Sequence, residues 1–179
     1  GNIVDGVIVS HLIDYNAMSA TPLSKPIIQA NFTFYQLIGL GASILVAKAL
    51  GENAKGRVSS LFTLTIVVLL IYGLAETAIG VFCPDLIVNM VCKDVALKEY
   101  ASQYIVPLLI GTPVFLAVYF LGGFTAIDGA PKLVSRAMVI DNVVNLCVDV
   151  TLIKVFGLGV MGSSIATLIG HAVAIGIML

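Results

Sequence analysis

"NVVNLCVDV" (142–150) lies inside a long apolar run, yet it carries Asn142, Asn145 and Asp149, and Asp141 immediately precedes it. At about 100° per helical residue, these four side chains fall within an arc of about 100° on one face. Which way such a stripe points depends on the solvent around the helix, and the rest of the chain identifies that solvent. Of 179 residues, 59% are hydrophobic and only 11% charged, with a mean hydropathy of +1.09. A soluble domain is about a quarter charged. The chain therefore reads as an all-α integral membrane protein, and a polar stripe at membrane depth must line a protein interior or a wet cavity.

Working outward, the apolar runs divide into segments of the length a bilayer requires, roughly 20 residues each. One partial and five complete spans are expected, at about 1–13, 20–50, 58–82, 104–127, 133–156 and 159–179. Gly, Pro and charge punctuate most boundaries: "GENAKGR" (51–57), "FCPD" (82–85), "DGAPK" (128–132) and "FGLG" (156–159). Continuous apolar runs, rather than alternation, argue against a barrel. The first segment is too short to span and lacks the basic start and cleavage site of a signal peptide. It reads as the second half of a helix, and the chain as a piece of a longer protein.

Loop charge sets the expected orientation. Lys48, Lys55, Arg57, Lys132 and Arg136 belong to one set of alternate loops, and Lys93, Lys98 and Lys154 to the other. The more basic set, which also has the shorter loops, is placed in the cytoplasm. In the long outer connection, Leu86, Ile87, Met90 and Val91 fit a short helix on the membrane surface. Cys83 and Cys92 share that connection, where a disulfide is possible but free thiols are the rule, and Cys147 is expected inside a span as a small buried apolar residue. A net charge of −1 without a Lys/Arg cluster excludes a nucleic-acid partner.

Depth then brings residues of different spans to one level. Asp5 lies eight residues below the outer end of its segment at Ile13, Asp149 seven below Phe156, and Thr167 eight below Gly159, each roughly 10–12 Å. Two carboxylates, the Asn145 amide and a hydroxyl at one depth suit a small cation, H⁺ or Na⁺, because oxygen ligands bind hard cations and a buried carboxyl can titrate usefully. Asp141, Asn142, Glu76 and Lys25 are candidate cavity-lining residues. Glu76 is six residues from Phe82 and also within reach of the interface, and Lys25 lies between Pro22 and Pro26, where a bend is expected. Taken alone, Asn145 and Thr167 are better explained by hydrogen bonds within and between helices than by a cation site.

Three stretches carry a family likeness. "NIVDGVIVSHL" (2–12) resembles the first helix of multidrug and toxic compound extrusion (MATE) transporters, and "GLGASILVAKALGENAKGR" (39–57) the end of their second helix and the following loop. "NVVNLCVDVTLIKVFGLGVMGSSIATLIG" (142–170), with Asn-x-x-x-Asp, a Phe-Gly-x-Gly turn and "GSSIAT", resembles their fifth and sixth helices. The resemblance implies the N-terminal six-helix lobe of a two-lobe, twelve-helix antiporter in a bacterial or archaeal cytoplasmic membrane, its first helix truncated. It further implies export of organic cations in exchange for H⁺ or Na⁺, no cofactor beyond that coupling ion, and a C-terminal lobe of the same chain as partner. The residues matching Asp5, Asn145, Asp149 and Thr167 are implied as the cation site. Asp141 and Lys25 depart from the family pattern.

A lipid-linked oligosaccharide flippase of the same superfamily is the alternative transporter, and it calls for a basic lining where this one is acidic. A channel or receptor subunit is left open by composition. An intramembrane serine hydrolase fails on geometry: Ser164 and His171 are seven residues apart, about 10 Å along one helix, where a nucleophile and its base must meet at about 3 Å. Nothing has the spacing of an H-E-x-x-H metal site.

Overall fold

The computed structural model describes residues 21–179, and within them every regular element is helical. The expected first segment, with Asp5, lies outside the described residues. A 3-10 turn (Thr21–Ser24) leads into α1 (Lys25–Tyr35), a π-helical segment (Gln36–Leu40) and α2 (Gly41–Gly51). Together Pro22–Gly51 make one 30-residue span. Pro22 and Pro26 sit in its opening turns, where a missing N–H forfeits no intrahelical bond, so they start the helix instead of breaking it.

There follow α3 (Lys55–Phe82), α4 (Pro84–Val91), α5 (Val95–Ile110), α6 (Thr112–Ile127), α7 (Pro131–Lys154) and α8 (Gly159–Met178). The pattern of α3 is that of a helix solvated by hydrocarbon: Leu64, Ile71 and Leu74 are exposed, whereas Thr65, Gly73 and Gly80 are buried. In α4, Val88 is buried among Cys92, Ala101, Ile105 and Leu109, while Leu86 and Met90 stay exposed, so this short helix caps the bundle by one face. Cys83 is exposed, Cys92 buried, and the two thiols are unbridged, while Cys147, expected to be buried, is exposed on the outward side of its helix. The turns "DGAPK" and "FGLG" use Gly129 (φ 96°) and Gly157 (φ 65°) in the left-handed region, where a Cβ would strain the backbone.

The segment expected as one span over 104–127 is instead two helices, α5 and α6, bent by 52° at Gly111. The sequence "PLLIGTP" explains the break: Pro107 and Pro113 lack N–H donors and crowd the preceding turn, and Gly111 takes up the change in direction. A break at membrane depth leaves backbone groups to satisfy, and α3 satisfies them. The Thr77 hydroxyl lies 3.1 Å from the Ile110 carbonyl at the end of α5. The Thr112 hydroxyl, at the start of α6, donates to Glu76 Oε2 at 2.9 Å, and the Tyr72 hydroxyl donates to Oε1 at 2.7 Å. Asn31 of α1 completes the network, its Oδ1 lying 3.0 Å from the Tyr72 oxygen. Gly73 and Gly80 let α3 approach this closely, since a Cβ on Gly80 would come 2.8 Å from Leu109 Cβ. Glu76 thus clasps the broken span. Glu76→Leu removes the acceptor that Thr112 and Tyr72 share, leaving them only the Leu108 carbonyl and Asn31 Oδ1, and should lower stability by about 1 kcal/mol, read as a lower melting temperature in detergent, while Glu76→Gln should lie close to wild type.

Candidate functional site

Helices α7 and α8 form an antiparallel hairpin that packs along its length. The buried residues of α7 are Ala137, Asp141, Asn145, Asp149 and Ile153, one every four positions. Val139, Ile140, Val143 and Leu146 are exposed. The polar stripe therefore faces inward and the apolar side faces out, as hydrocarbon solvation demands. At 24 residues α7 is long enough to span, about 36 Å. Its stripe nonetheless keeps it below the hydropathy of a lone membrane helix, and packing against α8 carries it.

What makes that packing close is a second stripe. Gly162, Ala166, Gly170 and Ala174 recur every four residues of α8, and all are buried. Small residues at this spacing let two helix backbones approach in lipid. A Cβ on Gly170 would lie 2.9 Å from the Asp141 carbonyl oxygen and 3.2 Å from Asn145 Cβ, so only glycine fits opposite the polar stripe. This device was readable as a G-x-x-x-A-x-x-x-G-x-x-x-A pattern, but the sequence reading attended to the polar residues of α8 alone.

Asn145 and Thr167 are brought together: the Asn145 Nδ2–H donates to Thr167 Oγ1 at 3.1 Å, and the Thr167 hydroxyl donates to the Ser163 carbonyl at 3.1 Å. With its nitrogen committed to Thr167, Asn145 can meet a cation only through Oδ1. Asp149, one turn further along α7, is 0% exposed. One buried carboxylate beside neutral oxygens is a donor set for a proton or a monovalent cation. Among the described residues no three His, Cys, Asp or Glu side chains gather as a metal site.

One turn in the other direction, Asp141 pairs with His171 of α8, Oδ2 to Nδ1 at 3.0 Å, both side chains largely buried. Sequence reasoning missed this pair; Asp141 and His171 share no helix, so no spacing rule joins them. Ser164, in turn, donates to the Met161 carbonyl at 2.9 Å. A cavity of about 250 Å³ opens beside the stripe, lined among others by Asp141, Asn142, Asn145, Thr167, His171 and Tyr119. The exposed Asn142 donates to the Met138 carbonyl of its own helix at 2.6 Å. Glu76 and Lys25 are not among the lining residues: Glu76 belongs to the clasp on the α5–α6 break, and Lys25 is exposed at the start of α1.

A family model, MatE, matches residues 1–151. Multidrug export protein MepA of Staphylococcus haemolyticus is 25% identical over 177 residues, covering 97% of this chain and 39% of its own length. The inward-facing conformation of a multidrug resistance MATE family transporter of the MOP superfamily matches with a TM-score of 0.87 and 25% identity, over 99% of this chain and 40% of that one. The MATE multidrug transporter DinF-BH in complex with R6G shares the fold at a TM-score of 0.90 and 22% identity, over 99% of this chain and 40% of that one. This chain thus spans about two fifths of the length of the proteins it matches. With most of its residues under that family model and its bundle superposing on these transporters, the chain, an integral membrane protein, belongs to the MatE family.

Proposed function

We propose that this chain forms the ion-coupling, N-terminal lobe of a secondary antiporter that exports organic cations in exchange for H⁺ or Na⁺. The observation that carries the reading is the full burial of Asp149 on the α7 face that also carries Asn145, itself bonded to Thr167 of α8. A carboxylate removed from solvent at membrane depth is costly and is retained where it takes up a cation. The kinship with proteins named as multidrug exporters supports the same reading.

With the lobe open outward, an ion reaches Asp149, with Asp5 as the expected second carboxylate. Neutralising Asp149 removes the charge that holds the surrounding helices in their cation-accepting arrangement. The drug then leaves as α7 and α8 repack around Asn145 and Thr167. The work is done by the difference in ion and drug affinity between the two states, about 1.4 kcal/mol for each tenfold. Alternation sets one repeat against the other, so a second lobe completes the transporter and these 179 residues alone should carry no transport. Exposed Val139, Val143 and Ile44 remain for lipid or for that lobe.

The test is export of a fluorescent cationic dye from proteoliposomes holding the complete transporter, with a pH gradient and a Na⁺ gradient imposed in turn. Export is expected under one of them. Dye movement indifferent to both gradients would contradict the antiporter.

A further inference from the structure

The buried face of α7 carries two carboxylates in different settings. Asp141 and Asp149 are eight residues apart, about 12 Å along the helix. Asp141 lines the cavity, and Asp149 is not among the residues that do. Among the described lining residues Asp141 is the only acid, so a molecule entering the cavity meets its charge there.

The surroundings of Asp141 resemble a receptor for a flat cation more than a site for a bare ion. His171 Nδ1, 3.0 Å from Oδ2, holds the carboxylate in place. In the tautomer that donates Nδ1–H, the neutral ring leaves the carboxylate's charge for one monocation. Phe115 and Tyr119 of α6 bracket the His171 ring, their centroids 5.9 and 6.2 Å from it, and both line the cavity. Aromatic faces beside a carboxylate attract an organic cation twice, through the ring quadrupole and through the charge. Leu108 and Met138 supply an apolar wall, the Met adaptable in shape. A volume of about 250 Å³ falls short of the 300–1,000 Å³ of a drug-sized pocket, so it holds the charged end of a larger molecule.

We propose that Asp141, positioned by His171, anchors the cationic group of an exported aromatic monocation, and that it does so separately from the ion-coupling carboxylate Asp149. This rests on the reading of the chain as an exporter of organic cations and deepens it. Drug and ion then occupy different carboxylates of one helix, and their antagonism passes through the α7–α8 hairpin instead of through direct displacement.

The experiment is ethidium binding to the complete transporter in detergent at fixed pH with no gradient, followed by fluorescence polarisation. Asp141→Asn should raise the ethidium Kd about tenfold or more, as loss of a charge-assisted contact does. Asp141→Glu should stay within about threefold of wild type, and binding of the neutral dye Nile red should be unchanged by Asp141→Asn. Unaltered ethidium binding in Asp141→Asn, or loss of both dyes together, overturns the proposal. So does a loss in Asp141→Glu as large as in Asp141→Asn. A measurement on the wild type needs no variant to fold: ethidium should slow carbodiimide modification of Asp141, read by mass spectrometry, and absence of protection would sink the idea. Since binding is read without a gradient, its outcome is distinct from a failure of coupled export.

Discussion

Asp149→Asn is expected to abolish gradient-driven export while leaving a folded protein. The substitution changes one oxygen to an amide nitrogen at a site that is 0% exposed, so the shape of the buried face survives. What disappears is the ability to exchange a charge. A group that cannot switch between anionic and neutralised forms has no differential affinity to offer, and an ion with equal affinity for both states shifts no equilibrium. Export under a gradient should therefore fall by at least about 100-fold, the size of a 2.7 kcal/mol loss of coupling. Unfolding temperature in detergent should move little, because a buried charge is a cost that the neutral amide does not carry. Wild-type export rates in this variant would remove Asp149 from the coupling step.

Gly170→Val should be the most damaging single change to the fold. The glycine faces the Asp141 backbone carbonyl and Asn145 Cβ, at 2.9 and 3.2 Å from where a Cβ would sit. Both are parts of a rigid helix and cannot swing aside. Valine would force α8 away from α7 along the hairpin that holds the polar stripe inward. Overpacking of this kind costs about 3 kcal/mol or more when backbone must move. The same displacement would open the 3.1 Å Asn145–Thr167 and 3.0 Å Asp141–His171 contacts, leaving polar groups at membrane depth without partners. Low yield of folded protein and a melting temperature well below wild type are the expected readings, with Gly170→Ala intermediate. A Gly170→Val protein as stable as wild type would contradict the close approach of the two helices.

The stripe on α7 was legible because lipid makes polarity informative. Asp141, Asn145 and Asp149 at four-residue spacing have one tolerable direction in hydrocarbon, whereas in water the same spacing would fit an exposed face. The turns were legible for the same local reason, since Gly129 and Gly157 are needed where φ is positive. What escaped depends on contacts between helices. Glu76 looks from sequence like a residue within reach of the interface, yet it caps Thr112 across a break 36 residues away. The break is signalled by "PLLIGTP", but an apolar run through two prolines reads as a continuous span until a partner such as Thr77 is seen to satisfy its carbonyls. His171 drew notice as a catalytic base for Ser164, and its partner proved to be Asp141 on the neighbouring helix. The small-residue stripe of α8 lay in plain view, but small apolar residues carry no chemistry that draws attention to their spacing.

The most direct test of the account reverses the usual experiment. The complete transporter is sealed in vesicles with no ion gradient, a steep gradient of cationic dye is imposed, and internal pH and Na⁺ are followed together. Coupling between two sites is reciprocal, so an antiporter must drive its ion uphill as the dye runs down. The account predicts movement of H⁺ or Na⁺ opposite to the dye, lost in Asp149→Asn. Dye that equilibrates with no opposing ion flux would contradict it.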